Sequence, residues 1–302
     1  MALILPAYAK LNLTLDVTGR RPNGYHDIDS VMQTISLHDL VLVERTDCRV
    51  FEVIGPAIEG ENLILKAARE LEGRVSRQLP FTIRLFKRIP MGAGHGGGSA
   101  DAAAFLKAAN LLYALKLSSG ELVEVATAVG QDVPFLLEGG TARATGLGST
   151  VSALPPVPSN WRFLVVDPPI EILTRRVYEA VDGGAPCARR TPALVEALQA
   201  PTLTLPQRGR QISQGEGKRS ATGEGKSSLF GNDLEEVSRQ LFPTLDDAIN
   251  RLREALPGLT MSGTGAALFA VFANRQDAES ALGAVRGLGF PAWLCRPIPA
   301  AV

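Results

Sequence analysis

Residues 91–101 read Met-Gly-Ala-Gly-His-Gly-Gly-Gly-Ser-Ala-Asp, with five glycines among positions 92–98. The run lies between a strand-like segment carrying Phe81, Ile83 and Leu85 and an Ala-rich helical segment from Ser99 to about Lys116. Residues without a Cβ can take positive φ, so their backbone N–H groups can converge on one point. The N-terminus of the following helix, with Ser99 as expected N-cap, opens on the same space. Together these features form an anion site suited to phosphates. A flexible loop, or glycines needed only for close packing, would explain the composition without function. It fits less well with a glycine run placed between a strand and a helix.

Two other glycine motifs were weighed. Gly92, Gly94 and Gly97 match GxGxxG, but a dinucleotide fold needs a strand after the helix and an acidic residue some 20 positions on. Here a second helix follows, and Pro90 interrupts the entry into the loop. Gly225-Lys226-Ser227 ends like a P-loop, yet position 220 is Ser220 and no strand precedes it.

A second set of polar residues lies on the first strand. Ala9, Leu11, Leu13, Leu15 and Val17 alternate with Lys10, Asn12, Thr14 and Asp16, so the polar set shares one face. Asp132 follows Gly130, where a helix is expected to stop, and opens a short segment through Pro134 and Phe135. A carboxylate at a helix start is stabilised as the anion; for a lone Asp, simple N-capping is the commoner role. Tyr25 and His26 follow a turn at Asn23-Gly24. Gly263 and Gly265 let backbone approach a phosphate, or they serve a hairpin turn.

These residues need elements to hold them. Leu63, Ala67 and Leu71 have helical spacing, and Ser118 with Glu121 forms a capping box for a helix ending near Gly130. Strand-like runs lie at 31–36, 40–44 and 49–53, and Leu154-Pro-Pro-Val-Pro-Ser reads as a linker. Beyond it come a strand at 162–166, a helix capped by Thr244, a strand at 266–272, a helix at 276–286 and a last strand at 292–295. Residues 201–228 are rich in Gly, Ser, Gln and charge, and read as a solvated, disordered insertion.

The 302 residues allow one or two domains. Thirty-one basic residues balance 31 acidic ones, which excludes a broad basic field for nucleic acid or anionic membrane. Three cysteines without a CxxC, and three histidines without HExxH, give no metal or disulfide framework. No signal peptide or apolar span is evident, so a soluble, cytoplasmic protein is expected.

Several segments together resemble one family. Pro6-Ala-Tyr-Ala-Lys-Leu-Asn-Leu13, Ile89-Pro-Met-Gly-Ala-Gly-His-Gly-Gly-Gly-Ser-Ala-Asp101 and Met261-Ser-Gly-Thr-Gly-Ala-Ala-Leu-Phe269 resemble the three motifs of the galactokinase, homoserine kinase, mevalonate kinase and phosphomevalonate kinase (GHMP) superfamily. Arg20-Arg-Pro-Asn-Gly-Tyr-His-Asp27, Gly130-Gln-Asp-Val-Pro-Phe135 and Gly139-Gly-Thr-Ala-Arg143 narrow the likeness to its 4-diphosphocytidyl-2-C-methyl-D-erythritol kinases. The likeness runs from residue 5 to about 296, interrupted by the insertion.

The resemblance implies an α+β fold of two domains. A mixed-sheet ATP-binding domain would span 1–155 and a ferredoxin-like domain 156–302, with the active site in the cleft between them. It implies ATP-dependent phosphorylation of the substrate's 2-hydroxyl in non-mevalonate isoprenoid precursor synthesis. ATP and Mg²⁺ are the expected cofactors, and the cytidine diphosphate sugar alcohol the expected partner. Asp132 becomes the expected base, with Lys10 holding its carboxylate. Pro90, Met91, Gly92, Ala93, Gly94, His95, Gly96, Gly97, Gly98, Ser99 and Ala100 become the expected phosphate loop. Asn62 and Lys87 are assigned to the adenine pocket, although a helix cap and a strand-end charge account for them nearly as well. Asn12, Tyr25, His26, Tyr178, Gly263 and Thr264 are expected at the substrate, with Tyr25 and Tyr178 as stacking walls and His26 at the pyrimidine edge.

There are departures from the family pattern: His95 stands where Leu is usual, Ala100 where a second Ser is usual, and Ser149 where an acidic residue is common. Three other readings were weighed. A mevalonate- or homoserine-type kinase has no use for the Gly-Tyr-His segment, since those substrates carry no nucleobase. The other two are a nucleotide-dependent oxidoreductase and a binding protein without activity; retention of Lys10 and Asp132 argues against the last.

Overall fold

The computed structural model describes residues 1–58, 60–181, 189–200, 203 and 229–300. The expected insertion at 201–228 lies outside the described residues, apart from Leu203.

The first half builds strands β1 (Ala2–Asn12), β2 (Thr14–Arg20), β3 (His26–Arg45), β4 (Val50–Ile54), β5 (Phe81–Phe86), β6 (Thr141–Gly146) and β7 (Thr150–Ala153). Helices α1 (Leu63–Val75), α2 (Gly97–Leu112), α3 (Ser119–Val129) and α4 (Val133–Glu138) pack on their sheet. β3 is the spine: β1 and β5 pair with its C-terminal part, and β2 and β6 with its N-terminal part. Two separate strands were expected at 31–36 and 40–44. They are one strand, because a register shift opposite Tyr8–Lys10 takes up extra residues of β3 as a bulge rather than a break. The sheet is mixed, since β4 runs parallel to β5.

The second half builds β8 (Arg162–Val166), α5 (Thr174–Ala180), α6 (Arg190–Gln199), β9 (Gly231–Asn232), α7 (Leu234–Leu241), α8 (Pro243–Ala255), β10 (Thr260–Met261), β11 (Leu268–Phe272), α9 (Arg275–Gly287) and β12 (Ala292–Cys295). Its antiparallel sheet has the order β10-β11-β8-β12, the arrangement of a ferredoxin-like fold. β9 instead extends the first sheet by pairing parallel to β2.

The alternation read along the first strand continues through both β1 and β2, which part at Leu13. Its apolar members Ala9, Leu11 and Leu13 pack with Phe163, Val165 and Phe269 of the second sheet. Its polar members Lys10, Asn12, Thr14 and Asp16 face the other way and are also buried. A strand buried on both faces with one face polar must hydrogen-bond that face internally.

Three helix boundaries differ from expectation. α2 starts at Gly97 with Gly96 as N-cap, not Ser99, because Gly96 at φ 70° turns the chain and its carbonyl already accepts the Ala100 N–H at 2.8 Å. α8 starts at Pro243 with Phe242 as its N-cap, which puts Thr244 inside the first turn. α1 runs past Gly73 and ends at Ser76, which takes the left-handed conformation at φ 48°. The α3 capping box forms as expected.

Candidate functional site

Three segments distant in sequence meet at the end of β1. The Lys10 N–H donates to the His95 carbonyl at 3.0 Å, which ties the glycine loop to the strand. The Asn12 N–H donates to Ser262 Oγ at 3.0 Å, which ties the strand to the turn before β11. That turn in turn lies against the loop: a Cβ on Gly94 would stand 3.2 Å from the Ser262 carbonyl oxygen. Gly94, at φ 80°, therefore has both a conformational and a close-approach reason to lack a side chain.

Lys10 is nearly fully buried, at 5% exposure. Its Nζ donates to Asn12 Oδ1 at 2.6 Å and lies 3.5 Å from Asp132 Oδ2. Asn12 Nδ2 donates to Ser30 Oγ at 2.8 Å, and Ser30 Oγ donates to the Thr14 carbonyl at 2.6 Å. This chain fixes the amide so that its oxygen faces the ammonium. Asp132 is the N-cap residue of α4, but its side chain makes no capping hydrogen bond. The carboxylate points instead toward Lys10 and the adjoining cavity.

Two cavities adjoin across the loop. One, of about 1190 Å³, is lined by Lys10, Asn12, Tyr25, His26, Ser99, Asp132, Tyr178, Gly263 and Thr264. The other, of about 640 Å³, is lined by Ile58, Asn62, Lys87, residues 90–98, Asp101 and residues 167–171. Leu63, Gly92, Gly94 and Gly96 line both. Ligands in the two cavities would thus meet at the start of α2, beside Lys10 and Asp132.

The sequence matches the family model described as "GHMP kinases N terminal domain" over residues 62–140, and "GHMP kinases C terminal" over residues 215–289. It is 34% identical to a 4-diphosphocytidyl-2-C-methyl-D-erythritol kinase of Rhodospirillum rubrum, over 94% of this chain and 88% of the relative. A protein of the same name from Caldanaerobacter subterraneus subsp. tengcongensis is 38% identical, over 90% of this chain and 88% of the relative. A crystal structure of 4-(cytidine 5'-diphospho)-2C-methyl-D-erythritol kinase superposes with a TM-score of 0.75 at 33% identity, covering 98% of this chain and 99% of the other. The chain belongs to the 4-diphosphocytidyl-2-C-methyl-D-erythritol kinase family. A homoserine kinase from Cytophaga hutchinsonii, at 18% identity and a TM-score of 0.65, shares the fold.

In this family member the expected acceptor-side residues come together in part. His26 is buried and stacks on Tyr178, with ring centroids 5.7 Å apart and planes 29° from parallel. Neither ring nitrogen of His26 has a partner among the described residues. Burial, then the nearby Asp132 charge, pushes the Tyr178 hydroxyl pKa up, so it stays protonated. Tyr25 lies at the mouth, 64% exposed, so the ring stacked on Tyr178 is His26. Thr264 Oγ1 shares a hydrogen bond with Thr174 Oγ1 at 3.0 Å, joining the turn to α5.

Asn62 lines the smaller cavity and is also the N-cap of α1, accepting the Ile64 N–H. The Lys87 ammonium does not extend freely into the cavity. It lies beneath the loop, bridging Asp39 Oδ2 at 2.5 Å and Asp101 Oδ2 at 3.0 Å. Asp39 Oδ1 also accepts the Ile89 N–H at 2.8 Å, which secures the chain entering the loop. Burial alone would lower the Lys87 pKa; the charges of Asp101 and Asp39 outweigh it and raise it. Burial pushes the Asp101 carboxyl up. One cation between two buried carboxyls offsets one negative charge, so retaining a proton on Asp101 leaves the cluster neutral. A Cβ on Gly97 would stand 3.2 Å from Lys87 Nζ, so the loop rests directly on this cluster.

His95 is buried, with both ring nitrogens unpartnered among the described residues. Burial first, and the Lys10 charge second, push its pKa down to about 4. It is therefore a neutral, buried side chain within the loop.

Sequence reasoning did not single out Ser262, Asn232, Asp39, Asp101 or Asp167. Asn232 Nδ2 donates to the Met261 and Gly263 carbonyls at 3.0 and 2.6 Å, fixing the turn. Asp39, Asp167 and Asn232 lie outside every quoted motif, and the partners of Asp39 and Asn232 are far away in sequence.

Proposed function

We propose that the protein transfers the γ-phosphoryl group of ATP to the 2-hydroxyl of 4-diphosphocytidyl-2-C-methyl-D-erythritol. The observation that carries this reading is the pair of cavities meeting at a glycine loop, with a buried Lys–Asp pair at the junction. Phosphoryl transfer demands positioning and charge stabilisation more than covalent chemistry, and this junction supplies both.

Asp132 takes the hydroxyl proton as the oxygen bonds to the γ-phosphorus and ADP leaves. Lys10 orients that carboxylate and offsets charge on the transferring group. Backbone N–H groups of the loop and the start of α2 bind the phosphates. Asn12 holds the acceptor, while His26 and Tyr178 bind the cytosine, through the unpartnered ring nitrogens and the stacked face. Tyr25 closes over the mouth.

Among the described residues, no group of three or more His, Cys, Asp or Glu side chains could hold a metal ion. The residues fit a Mg²⁺ carried on the nucleotide, with the Ser99 hydroxyl as a ligand, rather than one caged by protein. Bound there, Mg²⁺ neutralises phosphate charge.

In this reading residues 1–155 form the nucleotide-binding domain and 156–302 the second domain, with no nucleic-acid or membrane partner. No helix among the described residues is long and apolar enough to cross a membrane. Use of ATP as donor accords with a cytoplasmic site of action.

The test is coupled ADP release with the cytidyl substrate, compared with mevalonate and homoserine. Turnover is expected with the first alone. Asp132→Ala should lower kcat by about 10²–10⁴-fold while ATP still binds, the usual worth of a general base. A variant keeping more than about a tenth of the rate overturns the base assignment.

A further inference from the structure

Asp167 follows β8 and lines the nucleotide-side cavity beside Pro168, Pro169 and Ile170, with Ile58 and Asn62 also in its lining. Its N–H donates to the Pro291 carbonyl at 3.0 Å, so the second sheet fixes its main chain. The residue is 9% exposed, and its Oδ1 is buried with no hydrogen-bond partner among the described residues. Leaving a buried polar atom unpaired is unfavourable, so such an atom calls for an explanation. Beside a ligand cavity, a donor on the ligand provides one. Burial pushes the Asp167 pKa up to about 6, which still leaves it mostly ionised at neutral pH. A carboxylate only accepts hydrogen bonds.

The surroundings restrict the donor. Two prolines and two isoleucines make apolar walls suited to a flat base. On an adenine edge the exocyclic amine donates. A purine with a keto group there presents an oxygen, which a carboxylate repels.

We propose that Asp167 sets the base specificity of the nucleotide site, accepting an N–H from the exocyclic amine and so selecting an amino-purine over a keto-purine. This rests on the reading that the smaller cavity takes ATP. Asp167 is thus a binding residue for the phosphoryl donor, with no part in the transfer itself.

The experiment compares wild type, Asp167→Ala and Asp167→Asn with ATP, ITP and 2′-deoxy-ATP. It measures kcat/KM at saturating acceptor, and nucleotide binding by calorimetry without acceptor. Wild type should prefer ATP over ITP by at least about 10²-fold, as sites built around a specific hydrogen bond do. In Asp167→Ala the preference should fall to about threefold or less, with the loss for ATP appearing in KM. Asp167→Asn, whose amide can accept or donate, should take both purines while keeping more affinity for ATP than the Ala variant. It also carries the test should the Ala variant fail to fold. An unchanged ATP-to-ITP ratio in the variants overturns the proposal. So does a 2′-deoxy-ATP penalty that disappears in Asp167→Ala, since the carboxylate would then read the ribose. If wild type turns over the cytidyl substrate with none of the nucleotides, the kinase reading fails; the calorimetric ratio still decides Asp167.

Discussion

Lys87→Met separates two roles for one lysine. As an adenine contact, its loss would raise KM for ATP and leave stability alone. As the centre of the Asp39–Lys87–Asp101 cluster, its loss removes the cation bonded to two buried carboxyls, whose side chains are 0% and 2% exposed. Removing one partner from a buried ion pair costs about 3–5 kcal/mol, a large part of a domain's usual 5–15 kcal/mol. The proton that burial favours on Asp101 limits the cost, because a protonated Asp101 can donate to Asp39. A value near 3 kcal/mol is therefore expected, which lowers the thermal midpoint by roughly 5 °C at this chain length. The assay is thermal unfolding at pH 7, with Lys87→Met/Asp101→Asn as the companion variant. Removing the second carboxyl should recover part of the loss. Because the loop rests on Lys87 Nζ, KM for ATP should rise as well. A midpoint within about 2 °C of wild type, with a tenfold higher KM, would refute the cluster argument and restore the adenine role.

Two further outcomes follow from the loop. Gly96→Ala places a Cβ 3.1 Å from Lys10 Cγ and 3.3 Å from Leu136 Cδ1, at φ 70°. It should cut kcat/KM by more than tenfold, whereas Gly73→Ala, inside α1 with open space around it, should change stability by about 1 kcal/mol or less and leave activity unchanged. His95→Leu should raise the thermal midpoint and flatten its pH dependence. The folded pKa of His95, about 4, lies below the unfolded 6.5, so the unfolded chain binds the extra proton in that window. Stability therefore falls as pH drops from 6.5 to about 4, by up to about 3 kcal/mol from this group. An equal slope in the Leu variant would show that His95 does not titrate as its burial implies.

Local patterns carried much of the fold. The capping box of α3, the strand at 162–166 and the last strand were legible because each depends on residues within a few positions. The starts of α2 and α8 are not marked by a capping side chain, because backbone geometry at Gly96 and Pro243 sets them instead. The long β3 looks like two strands in the sequence because a bulge leaves no mark there; it is set by the strand beside it.

The site divides along the same line. Lys10, Asn12 and the glycine loop stand out because alternation and glycine clustering are local signals. Their meaning does not, since Lys10 acquires a partner of opposite charge only when α4 brings Asp132 to within 3.5 Å. Lys87 is the converse case. By position it is a charge at a strand end next to the glycine loop, and only Asp39, 48 residues earlier, and Asp101, 14 residues later, show it to be part of the floor. A buried carboxyl such as Asp167 is harder still, because what distinguishes it is a partner missing in three dimensions. The polar residues that most constrain this site are therefore satisfied, or left unsatisfied, by tertiary packing. Periodicity along the chain carries no trace of that packing.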